Sequence, residues 1–405
     1  TTLLEMTFAN TEGGLHVNLH DLAGDDMAKM LFAENPGVVI QVSDMHKSEL
    51  KAFFEDAGIG FAKIAYPTPD NRKIVVKNGA CEHTFDIDSL RDTWYKTSYL
   101  LDRDQSFNGM ARQRFDNYKT QPLEMKFNND FKGTLESYGL NADRWKTATA
   151  DTRHPAPKAA IIREKGTNGE REMAYSLYLA GFDVKDVTMT DLVSGHETLD
   201  DIHLIVFCGG FSNSDVLGSA KGWAGAFLYN PKAKEALDKF YARPDTLSLG
   251  ICNGCQLMIE LNLEHAQRSH LLHNTSKKFE SAFVGLTIPQ NESVMLKSLS
   301  NSKLGIWVAH GEGHFHLPEP EDHYNIVAKY NYAEYPGTPN GSDYNVAGIC
   351  SNDGRHLAMM PHPERAIFPW QNAYYPRRRH ADEVTPWIEA FVNAHQWIAR
   401  QMEQQ

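Results

Sequence analysis

Apolar and polar positions change rhythm three times along the chain. The opening residues are already apolar at Leu3, Leu4, Met6 and Phe8, with no capping residue ahead of them. A helix that starts without a start signal implies chain upstream of Thr1. The run Val38-Val39-Ile40-Gln41-Val42 behind Pro36-Gly37 predicts a short buried strand. Leu50, Phe53, Phe54 and Ala57 then recur at helical spacing, and Gly58 stands where that helix should stop. Asn78-Gly79 between two strand-like runs, 73–77 and 81–87, is a strong hairpin signal.

From about residue 88 to 155 the pattern fades into polar chain with one helix, marked by Leu90, Trp94 and Tyr95. It reads as a connector that packs on its neighbours and ends at Thr152-Arg153-His154-Pro155-Ala156-Pro157. Beyond Lys158, strands and helices alternate: strand 159–162, helix 170–180, strand 204–207, strand 247–251 and a helix over 256–261. Further strand-like runs occupy 306–309, 326–329 and 357–360. A closing helix is capped by Thr385, with Pro386 in its first turn and Trp387, Phe391, Ala394 and Ile398 as its apolar stripe. Such alternation predicts an α/β fold, an open, mostly parallel sheet with helices on both faces.

Composition narrows the setting. The 405 residues are 41% hydrophobic, ordinary for a chain with a real core. A net charge of -12 argues against nucleic acid or an anionic membrane as partner, since both attract positive fields. No apolar run approaches a membrane span, and no secretory signal opens the chain. Five cysteines are an odd number for a disulfide framework, so a reducing, cytoplasmic location is expected.

Three features carry chemistry. The first is Gly250-Ile251-Cys252-Asn253-Gly254-Cys255-Gln256, where a strand ends in a cysteine flanked by small residues. This is the thiol form of a nucleophile elbow, a turn too tight for side chains beside the nucleophile, with the positive end of the next helix beneath the sulfur. Cys252 and Cys255 also form a C-x-x-C pair, which leaves a redox pair, half a zinc site or a plain buried cysteine open. The second is Pro361-His362-Pro363-Glu364, which follows the strand 357–360. If the prolines hold the chain extended, Glu364 projects beside His362 and can fix its tautomer. The third is Cys208-Gly209-Gly210-Phe211-Ser212 after the strand 204–207, whose free backbone amides, with that of Asn253, could bind an oxyanion. His310, His314 and His316 share strand parity but lack a carboxylate or cysteine to complete a metal set, so they read as pocket or surface residues. Arg377-Arg378-Arg379-His380 reads as a solvated turn.

Together these motifs resemble the class I (triad) glutamine amidotransferases, whose G-x-C-x-G-x-Q pattern is met in full. Arg163 to Asn168, Gly209-Gly210-Phe211-Ser212, His310-Gly311-Glu312-Gly313 and Met360 to Arg365 are similar to the large phosphoribosylformylglycinamidine synthases of the purine pathway. The resemblance implies residues 1–90 as the end of the second synthase half, 91–155 as connector and 156–405 as the amidotransferase domain. It implies Cys252 as nucleophile, His362 as general base and acid, Glu364 as its orienter, Gly210 and Asn253 as oxyanion donors, and Gln256 and Phe211 as the lining of a glutamine pocket. It further implies glutamine as substrate, synthase domains upstream in the same polypeptide as partner, no cofactor or metal within these residues, and ATP and Mg for the complete enzyme. The family's Mg-ATP residues fall before Thr1. An amidotransferase of another pathway, or a non-catalytic regulatory domain of the same fold, are the alternatives. Asn213-Ser214 departs from the Tyr-Gly common in relatives, so that loop is expected to differ.

Overall fold

The computed structural model describes residues 1–22, 24, 26–107, 109–141, 156–263 and 269–404. The chain divides into two compact units, one of residues 1–104 and 118–122, the other of 105–117 and 123–405. Most of the expected boundary at 152–157 lies outside the described residues.

The first unit is built on a four-stranded sheet of β1 (Gly14–Asn18), β2 (Ala65–Thr68), β3 (Lys73–Asn78) and β4 (Cys81–Asp86), in the order β2-β1-β3-β4. The hairpin β3-β4 turns at Gly79 with φ +57°, as Asn-Gly requires. Val17, Leu19, Ile74, Val76 and Ile87 form its small core. The helix expected around Leu50 spans Lys47–Asp56, and Gly58 beyond it has φ +66°. The buried strand expected at 38–42 is not formed. Val38 is 87% exposed and Ile40 49%, and these residues pair with no strand of the sheet. An apolar run becomes a strand only where a sheet edge accepts it, which its own composition does not reveal. The helix marked by Trp94 covers Ile87–Gln105.

The second unit carries a nine-stranded sheet. Its parallel half contains β5 (Lys158–Arg163), β6 (Asp183–Thr188), β7 (Leu204–Phe207) and β8 (Leu247–Ile251). After the small strand β9 (His270–Leu272) come β10 (Glu280–Thr287), β11 (Lys303–His310), β12 (His314–His316), β13 (Ile326–Tyr330), β14 (Val346–Cys350) and β15 (His356–Met359). The order is β11-β10-β13-β14-β15-β8-β7-β5-β6. β15 returns parallel to β8, whereas β14, β13, β10 and β11 run on as antiparallel neighbours. Strands β7, β8 and β15 are buried along their whole length, which fits their continuous apolar runs. The closing helix, Ile388–Met402, buries Phe391, Ala394 and Ile398, and the Thr385 hydroxyl accepts the amide of Trp387 just ahead of it. Within 123–141, Phe127, Leu135, Tyr138 and Leu140 pack against this core, and Lys126 exchanges backbone bonds with Lys303.

Candidate active site

In a doubly wound sheet, ligands sit outside the carboxyl ends of the parallel strands. Here three adjacent strands end together. β7 leads into Cys208-Gly209-Gly210, β8 into Cys252, and β15 into Met360-Pro361-His362.

Cys252 is the turn between β8 and the helix Asn253–Glu260, with φ +51° and ψ -106°. That conformation is strained for a residue with a side chain. Its surroundings hold it: its amide donates to Met359 O at 3.0 Å, and its carbonyl accepts from the Gln256 amide at 3.0 Å. The flanking glycines are required by contact. A Cβ on Gly254 would lie 2.0 Å from Phe207 O, and one on Gly250 2.6 Å from Gly254 O. The helix begins at Asn253, three residues earlier than its apolar pattern suggests, because the elbow itself supplies the first turn.

His362 and Glu364 are both buried, and the ring Nδ1 lies 2.7 Å from Glu364 Oε1. The route differs from the expected extended chain. Pro363–Arg365 forms a 3-10 turn, and it is this turn that folds the carboxylate back onto the ring. Backbone bonding of His362 to Trp307 O, at 3.0 Å, fixes the other side. Gly209 measures how tightly ring and sulfur are gathered: a Cβ there would lie 2.9 Å from His362 Cε1 and 3.3 Å from Cys252 Cβ. Burial works against charge on His362, but the Glu364 carboxylate and the neighbouring Cys252 outweigh it and push the imidazole pKa up to about 9.

A cavity of about 220 Å³ opens over the sulfur, and Gly210, Phe211, Cys252 and Gln256 all line it. Gly210 has φ +122° and packs against Thr167 and Asn168, where a Cβ would come within 2.7 Å of backbone. Asn253 is fully buried beside the cavity. Its side chain accepts from Ser212 N (3.1 Å) and donates to Gln256 Oε1 (2.8 Å), while Gln256 Nε2 donates to Glu312 O (2.7 Å). This chain of bonds ties the Gly209-Gly210 loop to the elbow helix. The departing loop after it is left-handed at Asn213, Ser214 and Asp215, with φ +52°, +55° and +49°.

His310, Asp215 and Glu312 also line the cavity, as do Lys277 and Lys278. Burial, and then the charge of Glu312, hold the Asp215 carboxyl above its ordinary range. His310 is thus a pocket residue, one of the two placements expected of it, and Glu312 belongs to the Gly-flanked His310-Gly311-Glu312-Gly313 segment; Lys277 and Lys278 carried no sequence signal. His314 and His316 lie elsewhere, both beside Asp343. Among the described residues no group of three His, Cys, Asp or Glu is arranged to hold a metal, and no helix is long and apolar enough to cross a membrane. Arg379 pairs with Asp382 and lies over Phe131, so the arginine run is partly folded in.

The chain is similar to several known proteins. Residues 156–398 match the CobB/CobQ-like glutamine amidotransferase domain. The human protein named phosphoribosylformylglycinamidine synthase is 38% identical over 430 residues, covering 98% of this chain and 31% of its own length. An Arabidopsis thaliana protein, named probable phosphoribosylformylglycinamidine synthase, chloroplastic/mitochondrial, is 38% identical over 98% of this chain and 29% of its own. The chain therefore spans under a third of the curated relatives it matches. The solved structure of PurLQS from Thermotoga maritima shares 27% identity at a TM-score of 0.48, covering 61% of this chain and 99% of that one.

Proposed function

Because the chain belongs to the CobB/CobQ-like glutamine amidotransferase family, we propose that it hydrolyses glutamine through a thioester on Cys252 and supplies the ammonia to a phosphoribosylformylglycinamidine synthase reaction. The observation that carries the reading is the meeting of the strained Cys252 elbow with the buried His362–Glu364 pair over one cavity.

In this reading the Cys252 thiol gives its proton to His362 and its sulfur attacks the carboxamide carbon of glutamine. The carbonyl oxygen becomes negative and is met by the amides of Gly210 and Asn253, neither of which donates to another group among the described residues. His362, whose charged form Glu364 favours, then passes that proton to the departing nitrogen. It then takes one from the water that attacks the thioester carbon, releasing glutamate and freeing the thiol. Glu364 keeps the ring oriented and stabilises its positive form. Gln256 and Phe211 frame the amino-acid end of the substrate. Alignment of the residues before 156 with the purine-pathway synthases supports that destination over another amidotransferase pathway. The ATP- and Mg-dependent step, and the formylglycinamide ribonucleotide acceptor, are assigned to parts of the relatives that this match does not cover. The same reading sets the enzyme in the cytoplasm.

Ammonia release from glutamine by the 405-residue chain tests the reading. Release that disappears in Cys252→Ala supports it, and release that persists in that variant refutes the assigned nucleophile.

A further inference from the structure

His310 is a buried histidine to which the steps above give no part. It ends β11, is 2% exposed and lines the cavity over Cys252. Its tautomer follows from its neighbours. The Asn274 amide nitrogen donates to His310 O at 2.7 Å and to Lys278 O at 3.0 Å. That fixes which end of Asn274 is oxygen, and the oxygen also accepts the Gly313 amide at 3.0 Å. The same oxygen lies 3.3 Å from His310 Nδ1. Two acceptors do not pair, so Nδ1 carries the hydrogen and Nε2 is left with a lone pair. Nε2 is buried and has no partner among the described residues. Gly313 packs directly on the ring: a Cβ there would stand 2.5 Å from Nδ1.

We infer that His310 Nε2 accepts an N–H from the carboxamide of bound glutamine and so makes the site selective for the amide over the carboxylate of its own product. The inference rests on the glutaminase reading. A buried acceptor without a donor is costly, and the substrate brings the missing donor. Glutamine offers two N–H groups beside the carbon that Cys252 attacks. Glutamate offers only acceptors, which would face the lone pair. The two imidazoles of the site thus have opposite parts. Burial, and then the charge of His362, push the pKa of His310 down to about 3, so it stays neutral while His362 holds a proton.

The test compares glutamine with the γ-methyl ester of glutamate, which has no N–H at the reacting group, on the parent chain, His310→Phe and His310→Gln. Phenylalanine keeps the ring and removes the acceptor; glutamine restores an oxygen acceptor. In His310→Phe, kcat/KM for glutamine should fall about tenfold relative to the ester, the scale of one hydrogen bond. His310→Gln should recover part of that ratio, and inhibition by glutamate should strengthen relative to the KM for glutamine in His310→Phe. Equal losses on both substrates, in either variant, would overturn the assignment and leave His310 as packing. If the parent chain turns over neither substrate, the glutaminase reading falls and takes this inference with it.

Discussion

Replacing Glu364 by glutamine separates charge from shape at the heart of the site. The carboxylate is buried, 2.7 Å from His362 Nδ1, and contributes to raising the imidazole from its ordinary 6.5 to about 9. A rise of that size corresponds to roughly 3 kcal/mol of preference for the charged ring. Cys252 supplies part of the rise and burial opposes it, so loss of the carboxylate costs on the order of two orders of magnitude in rate through electrostatics alone. An amide can also present its NH2 group to Nδ1, which selects the tautomer unable to take a proton at Nε2 and deepens the loss. We therefore expect Glu364→Gln to keep its fold and lose most of its glutaminase rate. Its alkaline limb in kcat/KM should move down from about pH 9 toward the ordinary imidazole range. Linkage gives a second reading with a definite sign. A base whose folded pKa is raised contributes stability that is fully present below about pH 6.5 and is lost as pH rises through about 9. That alkaline loss should shrink in the variant. The assay is ammonia release over pH 6 to 10, paired with urea melts at each end. Activity within about threefold of the parent, with an unmoved alkaline limb, would refute the role given to Glu364.

Two further substitutions test the scaffold. Gly254→Ala places a Cβ 2.0 Å from Phe207 O, so the elbow helix must move off β7. We expect a loss of at least about 1–3 kcal/mol in urea unfolding, with activity falling further than stability. Ser214→Gly relieves a left-handed residue at φ +55° and should raise the unfolding midpoint by up to about 1 kcal/mol in equivalent free energy, leaving glutaminase unchanged; a lowered midpoint would show that the serine is held there by contacts.

Much of the site was legible because its geometry is local. The strand-turn-helix around Cys252 is written in small residues on either side of one cysteine, and their backbones lie where side chains would collide. Strands β7 and β8 are continuous apolar runs, and both appear with the bounds expected of them. Residues 38–42 illustrate the limit, since the same apolar signal there finds no sheet to join and stays exposed. The pairing of His362 with Glu364 was legible in its partners but not in its cause, a 3-10 turn in place of extended chain. That His310 lies in a pocket was among the expectations, but its partner Asn274, 36 positions away, is brought to it only by the fold.

The central claim is a covalent glutamyl group on Cys252. Intact-mass measurement of the chain quenched in acid shortly after glutamine addition, followed by peptide mapping, tests it directly. The account predicts a mass gain of one glutamyl group, located on the peptide at Cys252 and not on Cys255, and absent from Cys252→Ser under the same quench. Glutamine consumed with no adduct at any quench time, or an adduct mapped to Cys255, would contradict it.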